Sequence, residues 1–102
     1  MRYLGLDVGE VRIGVAVSDA TGMIARPLTT VRSRGLGTDV KAVVALAARE
    51  TVSGIVVGLP IGLQDQRGAS VRMAEAFAEA LRAAAPAVSV SLWDERFTTK
   101  TA

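Results

Sequence analysis

Apolar positions along the chain fall first into short runs and later into stripes of helical period, and that change of period predicts the elements. Arg2 to Val8 is a short apolar run rich in strand formers, Gly9 and Glu10 turn it, and Arg12 to Ser18 is a second such run, so the pair predicts a hairpin. Asp19 to Gly22 supplies another turn. Met23 to Arg32 then predicts a third strand, in which Pro27 suits an edge position because it has no N–H to give to a ladder. After the glycine-containing link Ser33 to Gly37, the segment Asp39 to Glu50 carries Val40, Val43, Val44 and Ala47 at helical spacing. Gly54 to Leu59 is an unbroken apolar strand of the kind buried on both faces, closed by Pro60 and a polar loop through Gly68. From Ala69 to Ala84, Met73, Ala74, Phe77 and Leu81 form one stripe opposite Arg72, Glu75, Glu79 and Arg82, which predicts a second helix. Pro86 stops it, Val88 to Trp93 reads as a fifth strand, and Thr98 or Thr99 can cap a third helix. The order βββαβαβ(α) predicts an α/β fold: a mixed sheet with an antiparallel edge, helices packed on it and right-handed crossovers.

Composition narrows the chemistry. At 102 residues the chain has room for one domain, and half of its residues are apolar, enough for a core without staples. It contains no cysteine and no histidine. These absences exclude a disulfide framework, a thiolate or histidine metal site, and the Ser-His-Asp arrangement, leaving carboxylates, hydroxyls, cations or a bound metal to act. No apolar run reaches membrane-spanning length and the first ten residues include acids, so a cytoplasmic setting is expected. The net charge of +2 says little about partners, whereas ten of the twelve cations are arginine, whose planar fork suits phosphate oxygens.

Asp7 interrupts an apolar strand, and a carboxylate withdrawn from water needs an answering partner. It either caps the turn at Val8-Gly9 or serves a site. The second choice draws on Asp94-Glu95, just past the carboxyl end of another predicted strand, since ligands of such sheets collect at strand carboxyl ends. Carboxylates brought together there repel and need a counter-ion, and hard oxygen donors select Mg²⁺ or Mn²⁺. Two such ions about 4 Å apart would clamp the attacking and leaving oxygens of a phosphodiester. Read alone, Asp94-Glu95-Arg96 is better taken as a solvated acid–base loop with a local salt bridge. The loop from Gly58, Leu59 and Pro60 to Gly68, with Arg67, joins a strand to a helix; it is an ordinary connection or a phosphate cradle. Arg12, near the turn from Asp7, is either a substrate cation or a charge guarding a strand edge.

These blocks together resemble the YqgF or RuvX family of bacterial proteins, regarded as pre-16S rRNA nucleases or Holliday-junction-resolvase-like enzymes. The resemblance rests on GLDVGEVRIGVAVSD at Gly5 to Asp19, IVVGLP at Ile55 to Pro60 with Gly68 and the helix through Phe77, and DERFTTKTA at Asp94 to Ala102. It implies an RNase H-like fold over residues 1–102 and hydrolysis of phosphodiester bonds, in 16S rRNA 5′-end maturation or in branched DNA. It also implies a Mg²⁺ or Mn²⁺ site on Asp7 and Glu95, with Asp94 the second choice for a catalytic acid. Arg12 and the GLP loop would lie near substrate, joined by Arg67 and Arg96. The chain departs from the pattern after GLP, where Gly62-Leu63-Gln64-Asp65-Gln66-Arg67 replaces the family's usual N-M-D-G-S/T. It also stops before the family's C-terminal helix and its aspartate, which predicts either a longer protein or weak, metal-starved cleavage.

Two other readings remain open. An ATP-using domain of the actin, Hsp70 and sugar-kinase kind has a first hairpin much like LDVGEVRIGVAV, but it clamps nucleotide between two domains and this chain supplies one. A non-catalytic nucleic-acid-binding module is favoured by the arginines at Arg32, Arg34 and Arg67. Resolvase-like enzymes cut paired strands, so a homodimer is compatible with the reading, though no residue pattern specifies one.

Overall fold

The computed structural model describes residues 2–18, 25–59 and 69–94. Five strands and two helices follow in the order β1 (Tyr3–Val8), β2 (Arg12–Ser18), β3 (Ala25–Arg32), α1 (Leu36–Glu50), β4 (Gly54–Leu59), α2 (Ala69–Ala84) and β5 (Ser89–Asp94). In space the strands run β3-β2-β1-β4-β5. The β1–β2 and β2–β3 pairs are antiparallel, and β4 is parallel to both of its neighbours, β1 and β5. The expected mixed sheet with an antiparallel edge is therefore present, and β3 is that edge. Pro27 sits on it beside a register shift between Val15 and Ala16, where a missing N–H costs the ladder least.

Strand alternation sorts the residues of β1 cleanly. Leu4, Leu6 and Val8 are buried, as are Ile13, Val15 and Val17 of β2 and Ile55 and Val57 of β4, and they form one core with Val40, Val43, Ala47, Ala74, Phe77, Ala78 and Leu81 of the helices. Both helices thus cover one face of the sheet. The other face carries Tyr3, Gly5, Asp7, Arg12, Gly14 and Ala16, all half-buried or exposed. Val56 and Gly58 of β4 are likewise half-buried, so β4 is not closed off on both sides as its composition predicts.

Local chemistry sets the helix ends. α1 begins three residues before the predicted Asp39, with Gly35 as N-cap at φ 119°, a conformation open to glycine and strained for other residues. Asp39 stands in the first turn, and its buried carboxylate accepts hydrogen bonds from Ser33 Oγ at 2.7 Å and the Arg34 N–H at 2.9 Å. α1 ends at Thr51 in the left-handed conformation, whose N–H donates to the Ala48 carbonyl at 3.2 Å. Arg2 fastens this end to the start of β1 by donating to the Glu50 carbonyl at 3.0 Å and to its carboxylate at 2.8 Å. The expected third helix, at Thr98 or Thr99, lies outside the described residues.

Candidate nuclease site

Asp7 is the penultimate residue of β1, the central strand, near its carboxyl end. Its alternation with Leu6 and Val8 turns it to the sheet face that neither helix covers, and it is exposed. This corrects the expectation of a buried acid. The desolvation argument does not apply, and the local turn-capping alternative finds no support, because no hydrogen bond or ion pair of the Asp7 side chain occurs among the described residues. Gly14 stands directly across on β2 with no side chain, so one flank of the carboxylate is open.

The neighbouring strands set what lies near it. Leu6 pairs with Val57, so continuing the register by one residue brings Asp7 level with Gly58 on β4, which pairs in turn with Trp93 on β5. Asp94 ends β5 as its last residue, rather than lying just past the strand as expected, and pairs with Leu59. At ordinary strand spacing the Asp7 and Asp94 backbones stand about 10 Å apart with β4 between them. Arg12 shares the face of Asp7 and is exposed at the other end of the hairpin turn, where the Gly9 N–H donates to the Arg12 carbonyl at 3.1 Å. The structure thus brings together Asp7, Arg12 and Gly58. Pro60, Arg67, Glu95 and Arg96 lie outside the described residues. Among the described residues no three acids or other metal-ligating side chains gather in one place.

A cleft of about 250 Å³ opens on the opposite, helix-covered side, between the hairpin turn, α1 and α2, with Val8, Glu10, Ser33, Asp39, Met73 and Phe77 in its wall. It is separated from the Asp7 carboxylate by the sheet. The sequence marks Asp39 only as the start of a helix; its structural role follows from the Ser33-Arg34-Gly35 turn folding back on it, a contact that apolar periodicity does not report.

A sequence profile of RuvX, described as Holliday junction resolvase, matches residues 1–102. The chain belongs to the RuvX family. Among curated relatives, a "Putative pre-16S rRNA nuclease" of Anaeromyxobacter sp. (strain Fw109-5) is 48% identical over 99 residues, covering 97% of this chain and 72% of that protein. A protein of the same name from Myxococcus xanthus is 41% identical over 99 residues, covering 97% of this chain and 65% of its own length. The chain therefore spans roughly two thirds of such relatives. In three dimensions it is similar to Thermus thermophilus RuvC, solved in complex with a Holliday junction substrate, with a TM-score of 0.66 at 19% identity over 92% of this chain and 64% of that one. Archaeoglobus fulgidus Pelota follows with a TM-score of 0.62 at 16% identity, over 91% of this chain and 26% of that one. At such identities these likenesses carry the fold alone, which is RNase H-like. The family match and these relatives point to the nuclease reading rather than the ATP-using one.

Proposed function

We infer that this chain is the core of a metal-dependent nuclease that hydrolyses phosphodiester bonds, in the cytoplasm, in structured RNA such as the 5′ end of 16S rRNA or in branched DNA. The observation that carries the reading is Asp7: an exposed carboxylate at the carboxyl end of the central strand, without an internal partner among the described residues, in a chain of a resolvase family. Ligands of such sheets collect at the carboxyl ends of the strands, and an exposed carboxylate standing there on the central strand is placed for one.

The donor set fits a hard divalent cation in kind. Asp7 offers oxygen only, and the further oxygens in this reading come from Glu95, with Asp94 as second choice. Mg²⁺ or Mn²⁺, when bound, would supply Lewis acidity and charge neutralisation at the phosphate. The chain's own residues do the rest. Asp7 holds its carboxylate at a fixed height on a strand hydrogen-bonded on both sides, and Gly14 leaves space beside it. Arg12 offers a phosphate-matching fork on the same face, and the residues Gly58, Leu59 and Pro60, with Arg67 and Arg96, would line the approach of the substrate backbone. In the reaction a water oxygen bonds to phosphorus as the ester P–O bond breaks and the leaving oxygen takes up a proton.

The test is cleavage of an RNA stem-loop and of a four-way DNA junction with Mg²⁺ or Mn²⁺ and with chelator. The reading expects metal-dependent cleavage that Asp7→Asn lowers by about 100-fold or more, the scale of removing one preorganised charge-stabilising group. Cleavage that survives unchanged in Asp7→Asn would refute it. Salt-sensitive binding with no cleavage under any metal would instead favour a binding module, the reading suggested by the exposed arginines.

A further inference from the structure

Two arginines stand face to face beside Asp7. Arg12 on β2 and Arg32 on β3 are directly paired across the antiparallel ladder. The Ser33 N–H donates to the Val11 carbonyl at 2.9 Å, which makes Arg12 and Arg32 a pair without mutual hydrogen bonds, the closer kind, with Cα atoms about 4.5 Å apart. Their neighbours Ile13 and Val31 pack toward the core, so alternation turns both arginines to the uncovered face that also carries Asp7. Both are exposed, and among the described residues neither makes an ion pair with any acid, Asp7 included.

Like charges directly opposite on adjacent strands destabilise a sheet. A charge on the edge strand guards against sheet-to-sheet pairing, a role that Arg32 alone fulfils; Arg12, opposite it on the interior strand β2, adds repulsion that an opposite-sign or neutral residue would avoid. An anion laid between the two guanidinium groups removes the repulsion and gains charge-assisted hydrogen bonds from both planar forks. The face is otherwise suited to a backbone rather than a base: Gly5, Gly14 and Ala16 keep it low. Arg12 is diagonal to Asp7 across the hairpin, two residues from Gly14 and next to it on the same face, so a chain of phosphates crossing β3 and β2 continues toward the carboxylate.

We propose that Arg12 and Arg32 form a two-arginine clamp for a phosphate of the nucleic-acid backbone, next along the strand from the phosphodiester at Asp7, with Arg32 a substrate-binding residue on the sheet's edge strand. This rests on the nuclease reading and adds to it the direction in which substrate leaves the site, over the β2–β3 hairpin.

Binding of an RNA stem-loop and of a four-way DNA junction is measured by fluorescence anisotropy across a salt series for the wild-type chain, Arg32→Ala, Arg32→Lys and Arg32→Glu. Losing one phosphate contact flattens the slope of log affinity against log salt by about 0.9 on duplex DNA and about 0.7 on single strands. The expected result is that flattening in Arg32→Ala, recovery of most of the slope in Arg32→Lys, weaker binding still in Arg32→Glu, and a melting temperature in Arg32→Ala equal to or above wild type. An unchanged slope and affinity in Arg32→Ala and Arg32→Glu, while Asp7→Asn still stops cleavage, would overturn the clamp and leave the nuclease reading standing. Failure of the wild-type chain to bind or cut either probe would overturn the nuclease reading, and the clamp with it.

Discussion

Replacing Asp39 with alanine tests how the end of β3 is held. The carboxylate is 3% exposed and accepts two hydrogen bonds, from Ser33 Oγ at 2.7 Å and from the Arg34 N–H at 2.9 Å. A hydrogen bond to a charged group contributes about 1.5–3 kcal/mol net, so the pair sets an upper range near 3–6 kcal/mol. Solvent access lowers that range, and the helix dipole adds a little back. Ser33 is half-buried and Arg34 exposed, so water reaches both donors once the carboxylate is gone. Asp39 also lies in the first turn of α1, where a negative charge adds about 0.3–1 kcal/mol through the helix dipole. A net loss of about 2–3 kcal/mol results, and a domain of this size loses roughly 4–8 °C of melting temperature per kcal/mol. Urea denaturation followed by circular dichroism measures it, with Asp39→Asn as the intermediate case because it keeps one acceptor and loses the charge. A loss in Asp39→Ala below about 0.5 kcal/mol, the range of ordinary surface substitutions, would refute the reasoning that this turn is built on the buried acid.

Two more outcomes follow from backbone geometry. Thr51→Gly relieves a β-branched residue held at φ 54°, and chemical denaturation should show a gain of about 0.5–1 kcal/mol, with a loss of stability as the contrary result. Gly9→Ala introduces a Cβ 2.9 Å from the Arg12 carbonyl oxygen, which forces the hairpin turn to move; a cost of about 1–3 kcal/mol and weaker nucleic-acid binding are expected, and wild-type stability would show that the turn yields freely.

The elements most legible in the sequence are those with a long uniform signal. β4 is Gly54–Leu59 and α2 is Ala69–Ala84, both with the bounds their apolar patterns predict, although the unbroken run of β4 overstates its burial, since Val56 and Gly58 stay half-buried. α1 was legible only from its first apolar stripe residue. Its opening turn, Leu36 to Thr38, contains no periodic signal and starts from a glycine at positive φ. The sequence singles out Asp7 as the leading candidate but not its surroundings, which are open to water rather than buried. Tyr3, Gly5 and Asp7 alternate with Leu4, Leu6 and Val8, so period two assigns the acid to the uncovered face, whereas the apolar character of the run as a whole points to burial. The apposition of Arg12 and Arg32 was not readable, since it depends on the register of β2 against β3, and the register shift at Val15/Ala16 defeats counting. Family membership, by contrast, was carried by the spacing of the blocks at Gly5–Asp19, Ile55–Pro60 and Asp94–Ala102, which periodicity does not supply.

The claim that Asp7 exists to hold a divalent cation is tested most directly by titrating Mn²⁺ into the wild-type chain and Asp7→Asn, reading bound metal by electron paramagnetic resonance. Asp7 is exposed and makes no internal hydrogen bond among the described residues, so the substitution should leave stability within about 0.5 kcal/mol of wild type. The account predicts Mn²⁺ affinity weakened by about tenfold or more in a folded variant, because even supporting groups around a metal carry 10–100-fold effects. Equal Mn²⁺ affinity in the two folded proteins would contradict it.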